Sequence, residues 1–214
     1  MKKSYYKNLK YLNNVYTKAA HKHGAGNKAV LWNDEQTQYF RFSELVSNLN
    51  LNDKSKKILD LGCGNAELYK FLNFAGFRGH YVGFDVNKAL VGQALRRFKD
   101  IDVRVVDIMK DSPVECFNYV VMSGIFNIGI GEEGEWVYPF LKKVFRRCTE
   151  IMAFNMISTH VNYREKTMSY FDPSKVLAFC IKNLSRRVSV RHHNLPYNFT
   201  VTVFRDDAWG SANK

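Results

Sequence analysis

From residue 57 onward, short apolar runs alternate with helix-patterned stretches, and this alternation constrains the fold more than any other feature of the chain. KILDLG reads as a buried strand, AELYKFLNF as a helix, HYVGFDV as a strand and NKALVGQALRRF as a helix. VRVVDI and FNYVVMSGIF read as strands, EWVYPFLKKVFRRC as a helix and EIMAFNMI as a strand. Strands separated by helices at this spacing predict a parallel sheet covered on both faces. A different pattern follows the helix DPSKVLAFCIKNL. SRRVSVRH and YNFTVTVFR flank the turn HNLP, and strands joined so tightly must be antiparallel, because a parallel crossover needs about a dozen residues. The expected architecture is therefore an α/β fold: a mostly parallel sheet, helices on both faces, and an antiparallel hairpin at one edge.

Upstream, residues 4–20 and 34–49 both read as helix. The second places Tyr39, Phe42, Leu45, Val46 and Leu49 at three- and four-residue spacing behind a cap at Asn33 or Asp34. HKHGAGNKAVLW between them reads as a glycine-broken loop. With 214 residues the chain suits one domain with an added cap. Residues 1–54 are expected to form a helical N-terminal cap and residues 55–214 a single structural unit. No uncharged apolar run approaches the roughly 18 residues of a membrane span, and no apolar stretch follows the charged MKKSYYKNLK start. A cytoplasmic protein is expected. Cys63, Cys116, Cys148 and Cys180 include no C-x-x-C pair and are expected to be reduced thiols, with no metal site.

The net charge of +12 is unevenly spread. Residues 1–30 hold seven Lys and no acid, residues 31–139 sum to −3, and residues 140–214 sum to +8. Basic flanks around a mildly acidic middle suit an anionic partner, whether a small molecule or a nucleic acid; a Lys-rich solvated surface is the plainer alternative.

ILDLGCGNAEL carries the chemistry. A buried strand ends in Asp60, the chain bends across Gly62 and Gly64, and a helix begins near Ala66. Glycine serves here because the backbone must turn sharply and let a ligand approach. The next strand ends in Asp85, 21 residues after Gly64, where an acid can accept both hydroxyls of a ribose. A dinucleotide site would want a third glycine at Glu67 so that the helix N-terminus could receive pyrophosphate. Carboxylates at Asp60 and Glu67 instead favour a ribose-bearing ligand with positive charge and no phosphates, a description that S-adenosylmethionine meets. Plainer readings exist. The glycine bend could be structural alone, Asp85 could cap the helix beginning NKAL, and Asp107, Ser123 and Gly124 could be ordinary strand-end residues.

DLGCGNAEL followed by GFDVN resembles the cofactor-binding core of class I S-adenosylmethionine-dependent methyltransferases, which have a Rossmann-like fold. The resemblance is clearest over residues 55–155 and weaker through FTVTVFR, which resembles the antiparallel last strand of that fold. It implies cofactor contacts from Asp60, Gly62, Cys63 and Gly64, and from Asp85 and Val86 at the ribose. It further implies Asp107 and Ile108 at the adenine, and Ser123 and Gly124 near the methyl group. A frequent third glycine is Ala66 here.

Arg41, with Gln38 one turn earlier on the same face, is the candidate partner for the carboxylate of the methionine portion. Trp32, His23 and Tyr16 could close over the site. Acceptor chemistry is expected from SGIFNIGIGEEGEW, with Asn127, Glu132 and Glu133, and from NMISTHVNYREK, with His160, Tyr163 and Arg164. His160 is the candidate general base for a hydroxyl acceptor. His192 and His193 are expected on a strand, facing opposite ways and so unable to share a metal. Asn-Pro-Pro-Tyr and its Asp variant, the family signature for exocyclic base or glutamine amines, are absent. The leading expectation is a methyltransferase acting on a small, anionic acceptor. An RNA methyltransferase using the Lys- and Tyr-rich start, and a non-catalytic nucleotide-binding scaffold, are the alternatives.

Overall fold

A computed structural model describes residues 2–32, 34–111, 114–129, 136–195 and 197–205. Its sheet is built from β1 (Lys57–Leu61), β2 (His80–Asp85), β3 (Val103–Val105), β4 (Phe117–Met122), β5 (Cys148–Ile157), β6 (Val188–Arg191) and β7 (Asn198–Phe204). The strand order is β3-β2-β1-β4-β5-β7-β6. β1 to β5 are mutually parallel, with Leu59 opposite both Val82 and Val120, and Val120 opposite Met152. β7 runs antiparallel between β5 and β6. The order reverses between β1 and β4, and in open α/β sheets such a reversal opens a crevice at the carboxyl ends of the strands.

Consecutive strand residues point to opposite faces, and both faces are buried. Leu59, Val120 and Phe154 join one core with Leu141 and Val144 of α6 (Val137–Phe145) and Val176 of α7 (Pro173–Asn183). Their neighbours Ile58, Tyr119, Val121 and Ala153 join the other. That second core takes Phe71 and Leu72 of α3 (Glu67–Phe74), Val91 and Ala94 of α4 (Lys88–Arg97), and Phe42, Leu45 and Val46 of α2 (Glu35–Val46).

Asp34 caps α2 by accepting the Thr37 N–H at 2.6 Å. Its apolar stripe lies against the sheet, so α2 belongs to the sheet's own cover. α1 (Lys2–His23) instead lies against α4 and the 3-10 turn Asn27–Val30. The segment read as an N-terminal cap thus holds two differently placed helices. The expected third strand is also shorter. Asp107 Oδ1 accepts the Met109 N–H at 2.9 Å, which turns the chain into the short helix α5 (Ile108–Asp111). His192 and His193 are not on a strand, because β6 ends at Arg191, where the Glu44 carboxylate pairs with its guanidinium.

All four cysteines are free thiols, with Cys116 exposed and the others buried. Among the described residues no group of His, Cys, Asp and Glu is placed to hold a metal ion. No described helix is long and apolar enough to cross a membrane.

Candidate active site

The carboxyl ends of β1, β2, β4 and β5 open into a cavity of about 370 Å³, within the usual size range of small-ligand sites. Its floor is the bend after β1. Gly62 and Cys63 donate their N–H groups to the Phe84 carbonyl at 2.7 and 3.1 Å, which pins the bend to β2. Gly62 has φ +81°, and a Cβ there would overlap Cγ2 of Ile125 in the loop after β4. The bend is therefore glycine both for its left-handed backbone and for a close approach between two loops.

Asp85 closes the adjoining wall. Its Oδ2 accepts the Gly64 N–H at 2.8 Å and its Oδ1 accepts the Asn87 N–H at 2.7 Å. The acid at the end of β2 thus grips the glycine bend directly. Burial raises its pKa, while the N–H groups of Asn87, Gly64 and Val86 oppose that rise. Each carboxylate oxygen retains a lone pair for further donors. Val86 and Ile108 also line the cavity.

Asp60 is 2% exposed and accepts the Tyr81 hydroxyl at 2.7 Å. Burial raises its pKa to about 7, against the opposing hydrogen bond from Tyr81. Glu67 is 4% exposed and paired with Arg97 at 2.6 Å, and Arg97 also donates to the Asn65 carbonyl. The sequence argument that two free negative charges exclude phosphates therefore needs correction. Arg97 balances Glu67, and Asp60 is poised near neutrality. The negative charge facing a ligand comes chiefly from Asp85.

Asp107 is not brought to the cavity wall. Its Oδ1 accepts the hydroxyl of Tyr5, a cavity-lining residue, at 2.9 Å as well as the Met109 N–H. Tyr5, Leu9, Leu12, Asn13 and Tyr16 form the face of α1 that covers this end of the cavity. Asn87 holds α1 there through its Nδ2, within 3.0 Å of both Asn13 Oδ1 and Thr17 Oγ1. The Tyr16 hydroxyl rises to about 12 through burial, with Asp85 adding to the shift.

On the other side, Arg41 lies with its guanidinium 4.4 Å from the Trp32 ring centroid and donates to Asn198 Oδ1 at 2.9 Å. Burial lowers its pKa to about 10. Ser123 and Gly124 line the cavity at the end of β4. Both are set by Asn155 of β5, whose Oδ1 accepts the Gly124 N–H at 2.9 Å and whose Nδ2 donates to Ser123 Oγ at 3.3 Å. Sequence reasoning passed over Asn155; the available signal was a lone amide inside the otherwise apolar run 151–157.

His160 must be corrected. It is exposed, does not line the cavity, and packs its ring 6.1 Å from that of His192. β5 ends at Ile157, and the chain then bridges to Phe171 at Ser158, which carries residue 160 past the opening. Tyr163 is exposed and Arg164 lies over the Tyr170 ring. His23 is exposed and away from the cavity, whereas Trp32 and Tyr16 line it. Glu132 and Glu133 lie outside the described residues.

A family profile described as a methyltransferase domain matches residues 52–188, the span that contains the bend, Asp85 and the strand ends above. The chain is a class I S-adenosylmethionine-dependent methyltransferase. The methyltransferase is 28% identical over 158 residues to the Mycobacterium tuberculosis protein named "Putative methyltransferase Rv1506c"; the match covers 68% of this chain and 91% of that one. Its fold is shared by magnesium protoporphyrin IX methyltransferase from Synechocystis with bound S-adenosylhomocysteine (TM-score 0.65, 15% identity, 92% and 96% of the two chains). It is also shared by the N-methyltransferase NodS from Bradyrhizobium japonicum in complex with S-adenosylhomocysteine (TM-score 0.64, 13% identity, 90% and 99%).

Proposed function

We propose that this methyltransferase acts on a small molecule enclosed in the cavity, holding its cofactor along the ends of β2 and β1 and its acceptor at the ends of β4 and β5. The observation that carries this reading is a set of buried polar atoms without partners. Gln38 Oε1, Arg41 Nε and Asn65 Oδ1 are all buried and unpaired, and all three residues line the cavity. Buried polar groups are normally satisfied, so three orphans around one space fit a polar ligand. S-adenosylmethionine fits them. Arg41 offers an N–H to the carboxylate of the methionine portion, Gln38 offers a carbonyl to its ammonium, and Asp85 offers lone pairs to the ribose hydroxyls. When bound, this cofactor supplies a methyl group on a sulfonium leaving group.

The residues need do little more than orient the acceptor and exclude water, contributions that can reach about 7–11 kcal/mol of the barrier. α1 covers the cofactor end with a mostly apolar face, which favours a small acceptor over an RNA. Calorimetric titration with S-adenosylhomocysteine tests the assignment. The expected result is one site per chain, weakened about tenfold in Arg41→Lys, which keeps the charge but loses the planar fork and the stacking on Trp32. An unchanged affinity in that variant removes Arg41 from the site, and no binding by the wild type refutes the reading altogether.

A further inference from the structure

We infer that the acceptor is a neutral amine on an apolar body, oriented by Oδ1 of Asn127; this rests on the methyltransferase reading above. The acceptor end of the cavity is walled by Trp32, Ile125, Ile128, Ile157 and Met168, all partly accessible. Such a wall favours an apolar body over a polar one. A Cβ added to Gly124 would stand 3.6 Å from both Trp32 Cζ2 and Asn127 Nδ2, so these two side chains bracket the end of β4 where the reacting methyl is expected.

Asn127 Oδ1 is the fourth buried orphan among the cavity-lining residues. It sits on a fixed strap rather than a free loop. The Asn127 N–H donates to the Gly124 carbonyl at 3.2 Å, its carbonyl accepts the Ser169 N–H at 2.9 Å, and Ile128 bridges to Met168. An unpaired, buried, rigid acceptor atom calls for a donor on the ligand.

Charge decides against an anion. Among the described lining residues, Arg41 is the sole Lys or Arg, and the methionine carboxylate claims it. Of the lining acids Glu67 is matched by Arg97, while Asp34 and Asp85 lie in no described ion pair, so an anionic acceptor would enter a space with no described cation left for it. Chemistry then separates an amine from an alcohol. Among the described residues walling the acceptor end none is a titratable base, and His160 lies outside. An alcohol would need its proton removed on the enzyme before attack, whereas an amine can lose its ammonium proton to water, enter as the free base and attack with its own lone pair. With one N–H donated to Asn127 Oδ1, that lone pair stays free. The nitrogen forms the new N–C bond as the C–S bond breaks, the bonding pair stays on sulfur, and the resulting ammonium releases a proton to water.

The test uses the full chain, labelled S-adenosylmethionine, and a panel of aryl-alkyl and cyclohexyl-alkyl amines matched in shape to alcohols and carboxylates. Amines are expected to accept label at least about tenfold faster than their counterparts. Asn127→Ala is expected to raise KM for the best amine about tenfold with a smaller change in kcat, and to weaken that amine's calorimetric binding in the presence of S-adenosylhomocysteine by a similar factor. Asn127→Asp, which keeps an oxygen at that position, is expected to recover part of both losses. Labelling of alcohols or carboxylates at equal or higher rates, no labelling of any amine, or an unaltered KM in Asn127→Ala would overturn the inference. Binding of S-adenosylhomocysteine by the same preparation shows that such a failure concerns the acceptor alone; loss of that binding fails the underlying reading.

Discussion

Replacing Gly62 with alanine perturbs the bend in two separable ways. The backbone sits at φ +81°, where an L side chain costs about 1–2 kcal/mol. The added methyl also overlaps Ile125 Cγ2, and forced overpacking of this kind costs about 1–3 kcal/mol. The expected loss of stability is therefore about 2–5 kcal/mol. Gly64→Ala provides the contrast. Its φ of +54° falls in the left-handed region that L residues can enter, and its methyl would meet Val30 Cγ1 at 2.8 Å. Val30 is half-buried on a short turn and can yield, so about 1–2 kcal/mol is expected. Urea unfolding of both variants, with slopes compared to confirm that the transition stays two-state, reads the difference. Adding Ile125→Ala to Gly62→Ala should recover the overlap share and leave the backbone share, so the double-mutant cycle gives a coupling of about 1–3 kcal/mol. A Gly62→Ala protein within 1 kcal/mol of wild type, or a cycle with no coupling, would refute the close-approach argument.

Two further outcomes follow from the buried charges. Asp60 titrates near 7 in the folded protein but at the ordinary carboxylate value when unfolded. Between about pH 4 and pH 7 the folded state holds a proton that the unfolded state has lost, so wild-type stability should fall as pH rises through that window, by at most about 1.4 kcal/mol per pH unit from this group. Asp60→Asn should flatten that decline in urea midpoints taken from pH 5 to 8, and an unchanged slope would refute the assignment. Arg97→Ala leaves the Glu67 carboxylate buried and unpaired, and should cost about 3 kcal/mol. Pairing it with Glu67→Gln should restore much of the loss, and additive losses in thermal or urea unfolding would argue against the ion pair.

The sheet could be read from the chain because the central parallel strands β1, β2, β4 and β5 are largely buried on both faces and so appear as mostly apolar runs bounded by helix-forming stretches, whereas the edge strand β3 is mostly exposed. The glycine bend and Asp85 were equally legible, since each ends such a run and their spacing is set by one helix and its loops. What escaped the reading depends on residues far apart in sequence. Tyr5 is 102 positions from the Asp107 to which it donates, and Asn155 is 31 from the Gly124 it fixes. Arg97 balances Glu67 from the next helix of the fold, which changes what Glu67 says about the ligand. His160 was misjudged for a related reason. A loop following a strand can pass over a site or away from it, and the bridge from Ser158 to Phe171 decides that here. The ends of the third and sixth strands were misread because Asp107 and Arg191 redirect the chain through side-chain contacts that no local pattern announces.

The insertion of β7 between β5 and β6 has a consequence for biosynthesis. Ile157 pairs with Asn198, and Ile151 with Phe204, so the strand that carries Asn155 lacks one of its two neighbours until residue 204 has left the ribosome. A nascent chain paused before that point would present an open, apolar β5 edge, a recognised template for pairing with other chains. Holdase chaperones should therefore bind released chains truncated between residues 160 and 197, which lack β7, and should not hold the full chain once the last strand slots home.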